Sequence, residues 1–171
     1  MYSSELKIPR IRVGVLIGTK GSTKKLIEQK TNTKLDISKE GDVIISSNDG
    51  LNIFVATTII KAIGRGFNPD IALSLLNEDY CLEIIEIKDF CGKSKQNFIR
   101  AKARIIGTEG KAKKVIEQLT NTEISIYGKT VSIIGEISKV LIAKQAIEKL
   151  LQGSKHGNVY KYLEMQKKHA R

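Results

Sequence analysis

The chain has 171 residues and carries 29 Lys+Arg against 18 Asp+Glu, a net charge of +11. That length holds one domain or two small ones, and a hydrophobic content of 41% is enough for packed cores. No apolar run reaches the ~20 residues of a membrane span, and the start M-Y-S-S-E-L-K-I-P-R lacks the basic-then-apolar pattern of a secretory signal.

Leu6 and Ile8 alternate with charged residues and predict a short strand ending at Pro9. Arg10 to Ile17 reads as one or two apolar helical turns running into Gly18. Ser22 to Lys30 is helical, with Leu26 and Ile27 expected inward and Lys24, Lys25 and Glu28 outward. Lys34 to Ser38 alternates as a strand, Gly41-Asp42 turns, and Val43 to Ser46 returns. Asn48-Asp49-Gly50 caps a helix to about Ile63, which Gly64 and Gly66 end. Asn68-Pro69 opens an expected linking helix to Asn77. A strand over Tyr80 to Lys88 and helices over Lys95 to Ile106 and Lys111 to Leu119 follow. Strands at Glu123 to Tyr127 and Thr130 to Ile134, a helix from Glu136 to Leu151 and a C-terminal helix over Gly157 to His169 complete the chain.

The chain repeats itself. Residues 17–33, I-G-T-K-G-S-T-K-K-L-I-E-Q-K-T-N-T, return as residues 106–122, I-G-T-E-G-K-A-K-K-V-I-E-Q-L-T-N-T, with 12 of 17 positions identical. Two copies of one unit follow from this, each in the order β-α-α-β-β-α. The expected organisation is α+β: unit one at 1–67, a linking helix at 68–78, unit two at 79–153 and a C-terminal helix at 154–171.

Each copy places a Gly-x-x-Gly loop, Gly18-Thr19-Lys20-Gly21 or Gly107-Thr108-Glu109-Gly110, between two helices. Glycines there allow a tight helix corner. They also let a phosphodiester backbone come close, and N–H groups at the start of the next helix favour phosphate. Lys24-Lys25 and Lys113-Lys114 lie one turn into those helices. An apolar groove lined by Ile17, Ile27 and Ile37, or by Ile106, Ile116 and Ile126, would lie alongside, although core packing is the stronger reading for these side chains. This arrangement resembles the type I KH domain, in which such a loop clamps about four nucleotides of single-stranded RNA.

The copies differ in charge. Lys93, Lys95, Arg100, Lys102, Arg104, Lys111, Lys113 and Lys114 stand in residues 93–114 against a single acid, Glu109. The second loop is therefore expected to dominate RNA binding, with Lys20 supporting the first.

Over nearly its whole length the chain resembles the tandem-KH small-ribosomal-subunit maturation factors called Dim-two or partner-of-Nob-one. The likeness lies in I-K-D-F at Ile87 to Phe90, in A-R-I-I-G-T-E-G-K-A-K-K-V-I-E at Ala103 to Glu117, and in the tail G-S-K-H-G-N-V-Y at Gly153 to Tyr160. The resemblance implies a cytoplasmic RNA-binding adaptor, not a catalyst, that engages the 3′ region of small-subunit ribosomal RNA. It also implies two partners, a Nob-one-type endonuclease and the α subunit of translation initiation factor two. Eukaryotic members carry a long N-terminal extension and a first copy without the glycine loop, so this chain resembles the archaeal type.

Other readings fare worse. Gly21 is followed by Ser22, and Gly110-Lys111 by Ala112, so neither loop is a P-loop. His156 and His169 both fall in the tail, and no catalytic constellation, cofactor or metal site is visible. Cys81 and Cys91 read as ordinary thiols. Aromatics at 5%, with no Trp, speak against a module that stacks bases on an aromatic sheet. Another KH target, messenger or nascent RNA, and a protein-docking role for one copy stay open.

Overall fold

The strands form two separate three-stranded sheets in a computed structural model that describes residues 1–170. The chain divides into two compact units between Tyr80 and Cys81.

In unit one, β1 (Tyr2–Lys7) leads through a single 3-10 turn, Arg10–Arg12, into α1 (Val13–Ile17). After the glycine loop come α2 (Ser22–Thr31), β2 (Lys34–Ile37), β3 (Asp42–Ser47) and α3 (Gly50–Gly64). Sheet order is β1-β3-β2, with β3 antiparallel to both neighbours and Ile45 opposite Leu35. The two-residue period turns Val43 and Ile45 into the core and leaves Ile44 exposed. Asp49 starts α3 by accepting the Leu51 N–H at 2.9 Å. Leu16, Ile27, Leu35, Ile59 and Ile63 are fully buried beneath the helices. Truncating any one of them to Ala would cost about 2–5 kcal/mol.

The segment expected as a linker does not stand apart. It forms α4 (Pro69–Ala72) and a 3-10 turn, Leu73–Leu76, packed on α3 and α2.

Unit two repeats the plan with β4 (Tyr80–Glu86), α5 (Lys88–Cys91), α6 (Lys95–Ile106) and α7 (Lys111–Thr120). Then follow β5 (Glu123–Tyr127), β6 (Thr130–Glu136), α8 (Ile137–Leu151) and α9 (His156–His169). The sheet order is β4-β6-β5. The C-terminal helix expected at 154–171 is α9, packed on α7 and α8, and its last residue, 171, lies outside the described residues. Because α3 and α8 are both 15 residues long, Phe67 corresponds to Ser154, Pro69 to His156 and Leu73 to Tyr160. The helix after α3 and the helix after α8 are thus the same closing element of the repeat, short in unit one and long in unit two.

Three local expectations change. Leu26 is 37% exposed, because only Ile27 of that pair points at the sheet. Glu28 turns toward β2 and accepts the Leu35 N–H at 2.9 Å, as Glu117 accepts the Ile124 N–H at 3.0 Å. The strand expected through Lys88 ends at Glu86, since fully buried Ile87 gives its N–H to Lys129 and the chain turns into α5.

Much of the repeated sequence now has a folding cause. Thr31 and Thr120 donate to Ile27 and Ile116 carbonyls at 2.6 Å and meet Thr33 and Thr122 at 2.7 and 2.8 Å. Asn32 and Asn121 between them end α2 and α7 in the left-handed conformation that Asn tolerates.

Candidate nucleic-acid interface

The two glycine loops fold alike. Gly18 and Gly107 both have φ of 75°, Lys20 and Glu109 have 54° and 57°, and Gly21 and Gly110 have 76° and 75°. Thr19, Lys20, Thr108 and Glu109 are exposed.

The glycines of each pair have different duties. A Cβ on Gly18 would stand 2.4 Å from Thr23 Oγ1 and 2.7 Å from Thr23 N. One on Gly107 would stand 2.6 Å from Ala112 N. The first glycine therefore lets the next helix close onto the loop. A Cβ on Gly21 or Gly110 would meet nothing within 4 Å. The second glycine faces open space on the outer side of the loop.

The N–H groups expected to favour phosphate there are partly engaged within the loop. Gly21 and Gly110 donate to the Gly18 and Gly107 carbonyls at 3.1 Å, and Ser22 and Lys111 donate to Thr19 and Thr108. What the loops offer an anion is the positive end of a ten-residue helix with no side-chain cap.

The basic residues of the second copy scatter more than their spacing suggested. Lys102 Nζ donates to Gly128 O at 3.0 Å. Lys113 pairs with Glu117 at 3.3 Å. Arg104 donates to the Leu150 carbonyl at 3.1 Å and to the Ser154 carbonyl. Arg12 makes the equivalent bonds in unit one, to Ile63 at 2.8 Å and Phe67 at 2.9 Å. The same tie is thus built from arginines one helical turn apart. Lys95 opens α6, about 17 Å from the loop at 1.5 Å per residue, and Lys93 precedes that helix. Exposed Lys111 and Lys114 stay beside the second loop, as exposed Lys20 and Lys25 and half-buried Lys24 do at the first. Arg100 is exposed on α6.

The isoleucine triads divide too. Ile27 and Ile116 are wholly buried core, as expected. Ile17, Ile37, Ile106 and Ile126 are half-buried and remain available to flat apolar partners.

Sequence reasoning missed His156 and Tyr160. They line a cavity of about 430 Å³ together with Ala103, Arg104, Thr108 and Lys111. His156 Nε2 lies 2.8 Å from Arg104 O, and its ring centroid is 6.2 Å from that of Tyr160. Burial pushes the Tyr160 phenol above its ordinary range. The tail motif that carries both residues was visible, but its contact with the loop depends on how α9 folds back.

Both units match known families. The family model of the second KH domain of PNO1, described as a eukaryotic type KH domain (KH-domain type I), matches residues 81–168, and a KH domain model matches residues 3–62. A KH domain-containing protein of Methanocaldococcus jannaschii is 48% identical over 95% of this chain and 73% of its own length. The pre-rRNA-processing protein PNO1 of Saccharomyces cerevisiae is 34% identical over 59% of this chain, which spans 37% of that protein. Dim2p from Pyrococcus horikoshii superposes with a TM-score of 0.88 at 46% identity, covering 96% of this chain and 99% of that one. A chain of the a/eIF2alpha–aDim2p–rRNA complex from the same organism superposes at 0.90 with 46% identity, covering 98% and 95%. With both units matched as KH domains and a likeness to Dim2p along almost the whole length, the chain belongs to the Dim2/PNO1 family of KH-domain proteins.

Proposed function

We propose that the protein is a non-catalytic adaptor that binds single-stranded RNA in ribosomal RNA maturation and grips the 3′ region of the small-subunit RNA. The observation that carries this reading is the pair of like-shaped loops, each open at its second glycine, each at the positive end of an uncapped helix and flanked by exposed lysines. Phosphates would sit at Thr108, Gly110 and Lys111, with Lys114 beside them. A second contact would form at Thr19, Lys20 and Gly21, with Lys24 and Lys25. Bases would lie along the half-buried isoleucines, which present flat apolar surface. The binding modules are residues 1–67 with their closing helix at 68–78, and residues 79–153 with theirs. The aDim2p–rRNA complex supports ribosomal RNA as the target and the α subunit of translation initiation factor two as a partner. A Nob-one-type endonuclease is the second partner in this proposal.

Crosslinking the protein to total cellular RNA and sequencing the bound fragments tests the reading. Enrichment of the 3′ end of small-subunit ribosomal RNA is expected. Fragments spread over messenger RNA would replace it with the messenger or nascent-RNA reading.

A further inference from the structure

The cavity between the second loop and α9 is not part of the groove just described. None of Ile106, Ile116 or Ile126 lines it. It is lined by Ala103 and Arg104 of α6, Gly107 and Thr108 of the loop, Lys111 and Ala112 at the start of α7, and His156 and Tyr160 of α9. At about 430 Å³ it falls within the ~300–1,000 Å³ of small-ligand sites.

We propose that this cavity receives one unstacked nucleobase of the bound strand against Tyr160 and His156, while the adjoining phosphate rests at Thr108 and Lys111. The inference rests on the RNA-binding reading and adds to it a base-stacking site that lies outside the glycine-loop groove. Single-stranded RNA is commonly held by stacking bases on Tyr and His rings. The His156 ring is held in place. His156 Nε2 contacts Arg104 O, and the Arg104 guanidinium is tied to the Leu150 and Ser154 carbonyls.

Unit one supplies an internal contrast. Pro69 and Leu73 stand where unit two has His156 and Tyr160, and the loop is otherwise the same shape. The aromatic stacking pair is thus present in unit two and replaced by Pro69 and Leu73 in unit one. This gives unit two an advantage that does not depend on the scattered lysines.

The chain has no Trp, so Tyr160→Trp introduces a single reporter at the site. Short oligoadenosine and oligouridine RNAs are titrated into this variant, and anisotropy is measured on wild type, Tyr160→Phe and Tyr160→Leu, with circular dichroism as the folding control. Stacking predicts quenching of the Trp emission, near wild-type affinity for Tyr160→Phe, and a loss of about five- to thirty-fold for Tyr160→Leu. Unchanged emission in a Tyr160→Trp variant that still binds RNA would overturn the inference. So would wild-type affinity in folded Tyr160→Leu. If Tyr160→Leu unfolds, the Trp reporter decides alone. Absence of RNA binding by the wild-type protein is a different result, and it would defeat the RNA-binding reading itself.

Discussion

Substituting the two glycines of the second loop separates folding from ligand approach. Gly107 (φ 75°, ψ 172°) lies in an essentially glycine-only region, where a side chain costs about 1–3 kcal/mol, whereas Gly110 (φ 75°, ψ 13°) is left-handed, where one costs about 1–2 kcal/mol. At Gly110 that is the whole expected cost, because a Cβ there meets nothing within 4 Å. At Gly107 the Cβ would stand 2.6 Å from Ala112 N and 2.7 Å from Ala112 Cβ. The first of these is backbone, so α7 must move, and overpacking adds about 1–3 kcal/mol. Gly107→Ala should therefore lose about 2–6 kcal/mol and Gly110→Ala about 1–2. With two units in the chain a single global midpoint is a poor measure. Amide exchange read by mass spectrometry over α6 and α7, along a urea series, reports unit two alone. Gly110→Ala should lose less protection than Gly107→Ala yet bind RNA several-fold more weakly, because its methyl group projects from the open side. Equal destabilisation by the two substitutions, or greater loss at Gly110, would refute this division of roles.

Three further outcomes follow from the same geometry. If four to six phosphates are neutralised, the log–log salt slope of RNA affinity should be near −3 to −4, from roughly −0.7 per phosphate on single strands; a flat response in a salt titration would contradict it. Glu123 has a carboxyl raised above the ordinary range by burial, then by Glu117, against an opposing pull from Lys113. A raised carboxyl favours the folded state while protonated and penalises it once ionised. Glu123→Gln should therefore raise the stability of unit two at neutral pH, and the gain should vanish in acid below the unfolded carboxyl's range, as the same exchange assay at both pH values would reveal. Arg104→Ala removes the tie between α6 and the end of α8, and should cost unit two about 1–3 kcal/mol in the exchange assay; Arg12→Ala should do the same in unit one.

The repeat, the element order and the loops were legible because each rests on local signals: alternation, glycine spacing, and caps such as Asp49. The site was only half legible. Arg104, Lys102 and Lys113 look like free cations in a basic stretch, but their partners at Leu150, Gly128 and Glu117 are set by tertiary packing or a helix turn. Linear spacing also compressed α6, so Lys93 and Lys95 seemed close to a loop that lies at the other end of the helix. The closing helices hid for the opposite reason. Asn68-Pro69 reads as a linker, and only the matched lengths of α3 and α8 align it with the start of α9. His156 and Tyr160 reach the loop through that long-range fold-back.

The central claim is that the glycine loops hold the RNA backbone and that the second loop contributes more. Two double substitutions test it with matched change in charge: Thr108→Glu with Lys111→Glu, and Thr19→Glu with Lys20→Glu. All four side chains are exposed, so both proteins should keep their circular dichroism. Anisotropy with a short single-stranded RNA should show the unit-two variant weakened by more than about tenfold, at least ~1.4 kcal/mol. The unit-one variant should lose less. Wild-type affinity in both would contradict backbone capture by the loops, and a larger loss in the unit-one variant would contradict the dominance of the second.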